Sequence, residues 1–216
     1  MKHVFHPDSQ LMQSLGKLAD LILLNLYTIL CSVLLITVGP AMTALYDVAG
    51  KIIRKDEVAN FAYWRAIKSN WKQAMILWLV LLIPGLAVAY AWILVTSKNT
   101  VDDIWLMIAL CIASILYLGI TAWVFPLQSR FINPVGQTIR NAVYCAVMYF
   151  PCTILMVLVD AFPWWCLLFQ MEMFIALTPV WIGLWFAVSA LLNMWILRKP
   201  FQNIEKLATT MDERME

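Results

Sequence analysis

The sequence predicts an all-α membrane protein, a polytopic bundle of five transmembrane helices with a short cytoplasmic amphipathic helix. Three observations lead there. Apolar residues fill 63% of the 216 positions and charged residues only 13%, against roughly 45–50% and about 25% in soluble domains. The apolar residues fall in runs long enough to cross a bilayer. Lysine and arginine concentrate in alternate connections between those runs, as the positive-inside rule requires of short loops.

The first run, residues 18–38, holds 21 residues; at about 1.5 Å per residue it rises about 31 Å, the thickness of the hydrocarbon core. Leu11, Leu15, Leu18 and Ile22 keep helical spacing ahead of it, so an amphipathic lead-in capped by Asp8 or Ser9 is expected. Gly39 and Pro40 are expected to stop the helix. Asp20 and Asn25 interrupt the run. Lys17, three residues before Asp20, can pair with it on one face, and Asp20 stays hydrated near the outer end. Asn25 lies deeper and is expected to make an interhelical hydrogen bond of about 1 kcal/mol or less rather than to bind a substrate.

Residues 41–73 read as a basic cytoplasmic loop carrying Lys51, Arg54, Lys55, Arg65, Lys68 and Lys72. Within it, FAYWRAIKSNWKQA places Trp64, Ile67 and Trp71 on one side of a helix and Arg65, Lys68 and Lys72 on the neighbouring side. Tryptophans beside cations suit the headgroup layer of a membrane with anionic lipids, and a cytoplasmic partner is the functional alternative. Nucleic acid is not expected on a face so close to the bilayer.

Residues 74–95, 104–127 and 142–159 are the next three spans. Gly85 with Ala89, Ala87 with Ala91 and Gly183 with Ala187 have the small-residue spacing that lets helices approach closely, within the bundle or between copies in a homo-oligomer. Pro84, Pro126, Pro151 and Pro179 fall in or at the ends of spans, as kinks or tolerated breaks.

The last apolar region, 161–197, is too long for one crossing, and charge decides its division. Two crossings would export Arg198, Lys199, Lys206 and Arg214, whereas one crossing over 173–197 keeps them inside and brings the cations there to twelve of the 15. The N-terminus is then outside and the C-terminus cytoplasmic. Asp160 and Pro163 read as an N-cap and first-turn pair opening this segment, and Phe162, Trp164 and Trp165 as an interfacial belt. Glu172 lies 26 residues before Arg198, about 39 Å along a straight helix and so beyond a core of about 30 Å. It is expected at the outer headgroup level; the alternative is a strongly tilted helix that carries it into the bundle as a working carboxylate. Asn193, near the inner end, takes the same packing role as Asn25.

Little here supports enzymology. Cys31, Cys111, Cys145, Cys152 and Cys166 sit in or beside apolar runs without a C-x-x-C pair, and both histidines, His3 and His6, are in the N-terminal tail. No nucleotide motif, metal cluster or activated nucleophile is present, so no cofactor is expected and a non-enzymatic role is.

Two stretches exceed generic membrane sequence: FHPDSQLMQSLGKLADLILLNLYTILCSVLLITVGPAMTALYDVAGKIIRKDE and VFPLQSRFINPVGQTIRNAVYCAV. With the span pattern they resemble the YesL family of small bacterial membrane proteins, whose members begin with an N-P-D-S-like tail, enter the first span through K-L-A-D-L and leave it through G-x-x-x-T-A-L-Y. His6 stands here where asparagine is usual, and Pro40 falls inside the exit motif. The resemblance implies the bacterial plasma membrane and, because such proteins are often encoded beside carbohydrate ABC importers and polysaccharide-degrading enzymes, a partner among importer subunits; it transfers no catalytic or binding residues. The leading expectation is therefore a non-enzymatic accessory subunit of carbohydrate uptake. The alternative is a small oligomeric carrier or channel in which Asn25, Glu172 and Asn193 face one cavity.

Overall fold

The structure is a computed structural model that describes residues 10–56, 61–97 and 104–212, with the side chains of 10–18 and 207–212 outside the description. Ten helices and two tighter or wider turns follow in order: α1 Gln10–Ser32, a 3-10 turn Leu35–Thr37, α2 Val38–Arg54, α3 Ala62–Ser97, α4 Ile104–Arg130, α5 Val135–Met148, α6 Phe150–Phe169, α7 Met171–Ala176, α8 Thr178–Val180, a π-helical turn Trp181–Trp185, α9 Phe186–Ile196 and α10 Arg198–Asp212. No strand occurs among the described residues. Ala62–Ser97, Ile104–Arg130, Phe150–Phe169 and Thr178–Ile196 are long and apolar enough to cross a membrane, and Ala19–Ser32 is a shorter apolar stretch. The fold is an all-α polytopic membrane bundle.

The largest departure from the sequence reading is at its centre. The segment 41–73, read as a loop, contains α2, whose Gly39, Pro40, Ala41, Thr43, Ala44, Leu45, Tyr46, Val48, Ala49 and Gly50 are all buried. α2 packs against α1, α3, α4 and α9. Half of its ten buried residues are glycine or alanine, which add little to hydropathy yet allow neighbouring backbones to close in. At Gly39 a Cβ would run into the Ala74 carbonyl oxygen and lie 2.6 Å from Trp78 Cβ. Gly39 and Pro40 do not stop the first helix. They lie in the first turn of α2, where proline's missing N–H costs no helical bond. The first helix ends at Ser32, and Thr37 turns the chain by donating its hydroxyl to the Cys31 and Leu34 carbonyls. At its other end α2 closes on Lys55, left-handed at φ 62°, with Lys55 N–H on Ile52 O and Asp56 N–H on Lys51 O, the paired bonds of a Schellman cap.

The amphipathic segment 61–73 is no separate helix. It forms the first three turns of α3, continuous with the second span. Tyr63, Ala66 and Ile67 go into the core, whereas Trp64 and Trp71 stay 40% exposed. Ile67 thus faces the core, away from the tryptophans it was grouped with.

The fourth predicted span, 142–159, is broken at Tyr149 (φ −109°, ψ 43°) and divided between α5 and α6. Pro151 offers no N–H to the preceding turn and crowds its carbonyls, so a new helix starts at Phe150 with the proline in its first turn, where the missing N–H costs nothing. The Thr153 hydroxyl compensates, donating to the Ala146 carbonyl at 2.9 Å and accepting from Trp123 Nε1 at 2.9 Å. α6 then runs to Phe169, so Asp160 and Pro163 are interior to it and do not cap a fifth span. The fifth run is broken as well, at Gln170 and Leu177. A straight-helix depth for Glu172 therefore does not apply.

The core gathers around Trp123, with Leu45, Leu77, Met156, Leu197 and Phe201 almost fully buried. The Trp123 ring lies 5.8 Å from that of Tyr149, tilted by 30°, and meets Phe201 edge-on at 6.3 Å. Gly85 admits the Tyr117 hydroxyl end between α3 and α4, whereas Gly183 has open space beside it.

Candidate functional site at the basic end of the bundle

Polar groups collect where α2, α4, α9 and α10 come together. Two adjoining pockets open there, of about 320 and about 500 Å³. α2 supplies Tyr46, Asp47 and Arg54, α4 supplies Ser129 and Arg130, α9 supplies Met194, and α10 supplies Glu205. The charges are ordered by ion pairs: Lys51 Nζ to Asp47 Oδ2 at 2.6 Å, Arg54 Nε to Asp56 Oδ2 at 2.8 Å, and Arg130 Nε to Glu205 Oε1 at 2.7 Å. Arg130 also lies over the Phe201 ring, 5.2 Å from its centre, a cation–π contact that fixes the guanidinium plane.

From this pocket a chain of polar groups leads inward. Asn193 Nδ2 donates to the Tyr46 hydroxyl at 3.0 Å and to both oxygens of Asp160, at 3.0 and 3.1 Å. Tyr46 and Asn193 are buried and Asp160 is half-buried. Asn193 Oδ1 is buried and has no hydrogen-bond partner among the described residues. Beside this cluster, Gln73 donates to Gln128 Oε1 at 3.2 Å and to the Asn133 carbonyl, and the Thr138 hydroxyl reaches Gln128 Oε1 at 3.4 Å. These bonds tie α3, α4 and α5 together.

Asn25 is used differently. Its Nδ2 donates to the Ile182 carbonyl at 2.6 Å and its Oδ1 accepts from Ala187 N–H at 3.0 Å. Ile182 and Ala187 are five residues apart, the π-helical spacing, and the carboxamide bridges two backbone groups where the π turn meets α9. The bond is interhelical, and its partners are main chain.

The other residues singled out from the sequence are dispersed. Asp20 is exposed on α1, and its pairing with Lys17 falls on a side chain outside the described set, as do the Asp8 and Ser9 caps. Arg65, Lys68 and Lys72 are exposed on α3. Glu172 is exposed in the first turn of the six-residue α7. Neither pocket is lined by Asn25, Glu172 or Asn193. Sequence reasoning missed Tyr46, Asp160, Arg130 and Glu205 as a set. The signal for Asp160 was present, a carboxylate between LMVLV and AFPWW, and Pro163 diverted it into a capping role. All five cysteines are free thiols, and no His, Cys, Asp and Glu group among the described residues is placed to hold a metal ion.

Fold and site define the class, a helical membrane protein with a charged pocket at one end. Residues 21–92, from within α1 through α2 and most of α3, match a family described as protein of unknown function, DUF624. No curated protein and no solved structure matches the chain.

Proposed function

We propose that this is a non-enzymatic integral membrane protein that docks onto subunits of a carbohydrate ABC importer through the first turns of α3. One observation carries the reading: Trp64 and Trp71 are exposed beside exposed Arg65, Lys68 and Lys72, on a helix anchored by buried Tyr63, Ala66 and Ile67. Tryptophan and arginine dominate binding energy at interfaces, and a face already held rigid loses little entropy on docking. The importer as partner rests on the resemblance to YesL-like proteins. The positive-inside rule assigns the basic end and α10 to the cytoplasm and the N-terminus to the outside. Cysteines introduced at Lys55 and Met215 should label only from the cytoplasm, and one at Asp20 only from outside. Replacing Arg65, Lys68 and Lys72 together with glutamate should abolish co-purification of importer subunits while the bundle still folds. Recovery of an unchanged complex from that variant rules this face out, and absence of importer subunits from the wild-type complex rules out the partner.

A second reading, a small oligomeric carrier or channel, is favoured by the polar chain from the pocket through Tyr46 and Asn193 to Asp160. Reconstituted vesicles that take up no sugar or ion, and behave the same with Asp160→Ala, exclude it.

A further inference from the structure

We infer that the larger pocket at the basic end is a binding site for a phosphate group. It lies between the end of α2, the end of α4 and the α9–α10 junction, and four cations line it, Arg54, Lys55, Arg130 and Arg198, against two carboxylates, Asp56 and Glu205. The carboxylates are committed, Asp56 to Arg54 and Glu205 to Arg130. Among the described residues no carboxylate pairs with Lys55 or Arg198. Counted over the described residues, the pocket therefore carries two more positive than negative charges, and a phosphate at neutral pH carries one or two negative ones.

The donors are suitably arranged as well as charged. Both ion pairs run through Nε, and neither terminal Nη group of Arg54 or Arg130 takes part in them. Guanidinium Nη donors recognise phosphate oxygens in a fork that a point charge cannot reproduce. The carboxylates and the Phe201 ring hold the two guanidinium groups before any ligand arrives, which lowers the ordering cost of binding. Lys55 is held at its left-handed cap by two backbone bonds, and Gln202 adds a neutral amide to the lining. Gly50 keeps the cradle open: a Cβ there would lie 2.7 Å from Met194 Cε and 3.2 Å from Arg54 Nη1. At about 500 Å³ the space accepts a phosphorylated small molecule or a phospholipid headgroup, and the shared chemistry is the phosphate.

The site goes beyond the docking face proposed above, with which it shares no residue. The full chain in neutral detergent should be stabilised by inorganic phosphate or glycerol phosphate relative to chloride at equal ionic strength if the natural ligand is soluble. In nanodiscs, phosphatidylglycerol against phosphatidylcholine should give the shift if the ligand is a lipid. In either arm, Lys55→Gln and Arg198→Gln should each weaken the effective probe about tenfold, and the double variant about a hundredfold, whereas Lys199→Gln, outside the pocket, should not. These positions leave no buried acid unpaired, so the variants keep the existing ion pairs. Gly50→Ala retains every charge and pushes on the mobile ends of Met194 and Arg54, so it should change the same probe's affinity by less than either charge removal. No shift in either arm with the wild-type protein overturns the assignment, as does a shift that persists undiminished in the Lys55→Gln, Arg198→Gln double variant.

Discussion

Replacing Asn25 with leucine should cost this protein more than any other single polar substitution in α1. The side chain is fully buried and bonded at both ends of its amide, to Ile182 O and Ala187 N–H. Leucine keeps the branch at Cγ but is bulkier than asparagine, so the loss is the two bonds, the two backbone groups they satisfied and some overpacking at a fully buried site. Two interhelical bonds at the membrane-protein average of about 0.6 kcal/mol set a floor near 1.2 kcal/mol. Two backbone groups left unpaired at about 1–3 kcal/mol each set a ceiling near 6. Partial re-pairing of Ile182 O with Ala187 N–H across the π spacing keeps the value below that ceiling, and about 2–4 kcal/mol is expected. Asn25→Asp, which loses the donor and sets a carboxylate against a carbonyl, should be at least as damaging. Reversible unfolding of the purified protein in mixed micelles, titrated with a denaturing detergent, reads the difference. A leucine variant within about 0.5 kcal/mol of wild type would show that the amide does not hold α1 to the π turn, and that apolar packing along Leu21 and Leu24 does.

Three further outcomes follow from the packing. Gly39→Ala forces a Cβ into the Ala74 backbone and should destabilise by about 1–3 kcal/mol, whereas Gly183→Ala, with open space beside it, should be neutral or gain up to about 1 kcal/mol; equal effects in the same unfolding assay would deny the close approach of α2 and α3. Thr153→Val removes the acceptor of the buried Trp123 N–H and should cost about 1–3 kcal/mol with a change in tryptophan fluorescence, while Thr153→Ser retains both. Glu172→Gln, on an exposed short helix, should shift stability by less than about 0.5 kcal/mol and leave complex recovery unchanged.

How much was legible follows from what each feature depends on. Composition and run length settle the all-α membrane class, because exposed backbone polar groups are intolerable in hydrocarbon and long apolar runs have few other solutions. The interhelical use of Asn25 was legible for a related reason, since a deep amide must find a partner. The identity of that partner was not: it is a pair of main-chain groups 157 and 162 residues away, freed by a local widening of the helix that no residue type announces. The proline breaks at Tyr149 and near Leu177 were visible as prolines, but whether a proline kinks a span or divides it depends on whether a hydroxyl such as that of Thr153 is present to take up the freed carbonyls.

What the sequence determined by itself was the solvent, the number of long apolar helices within one, and the clustering of basic charge. Only the tertiary structure decided that α2, charged at one end and with glycine and alanine on its buried face, is the centre of the bundle. Hydropathy adds residues one at a time, whereas burial of glycine and alanine is a property of how closely two helices approach. The pocket was hidden for the same reason. Arg54, Arg130, Arg198 and Glu205 are spread over some 150 positions of chain, each an ordinary surface charge until four helix ends bring them to one place.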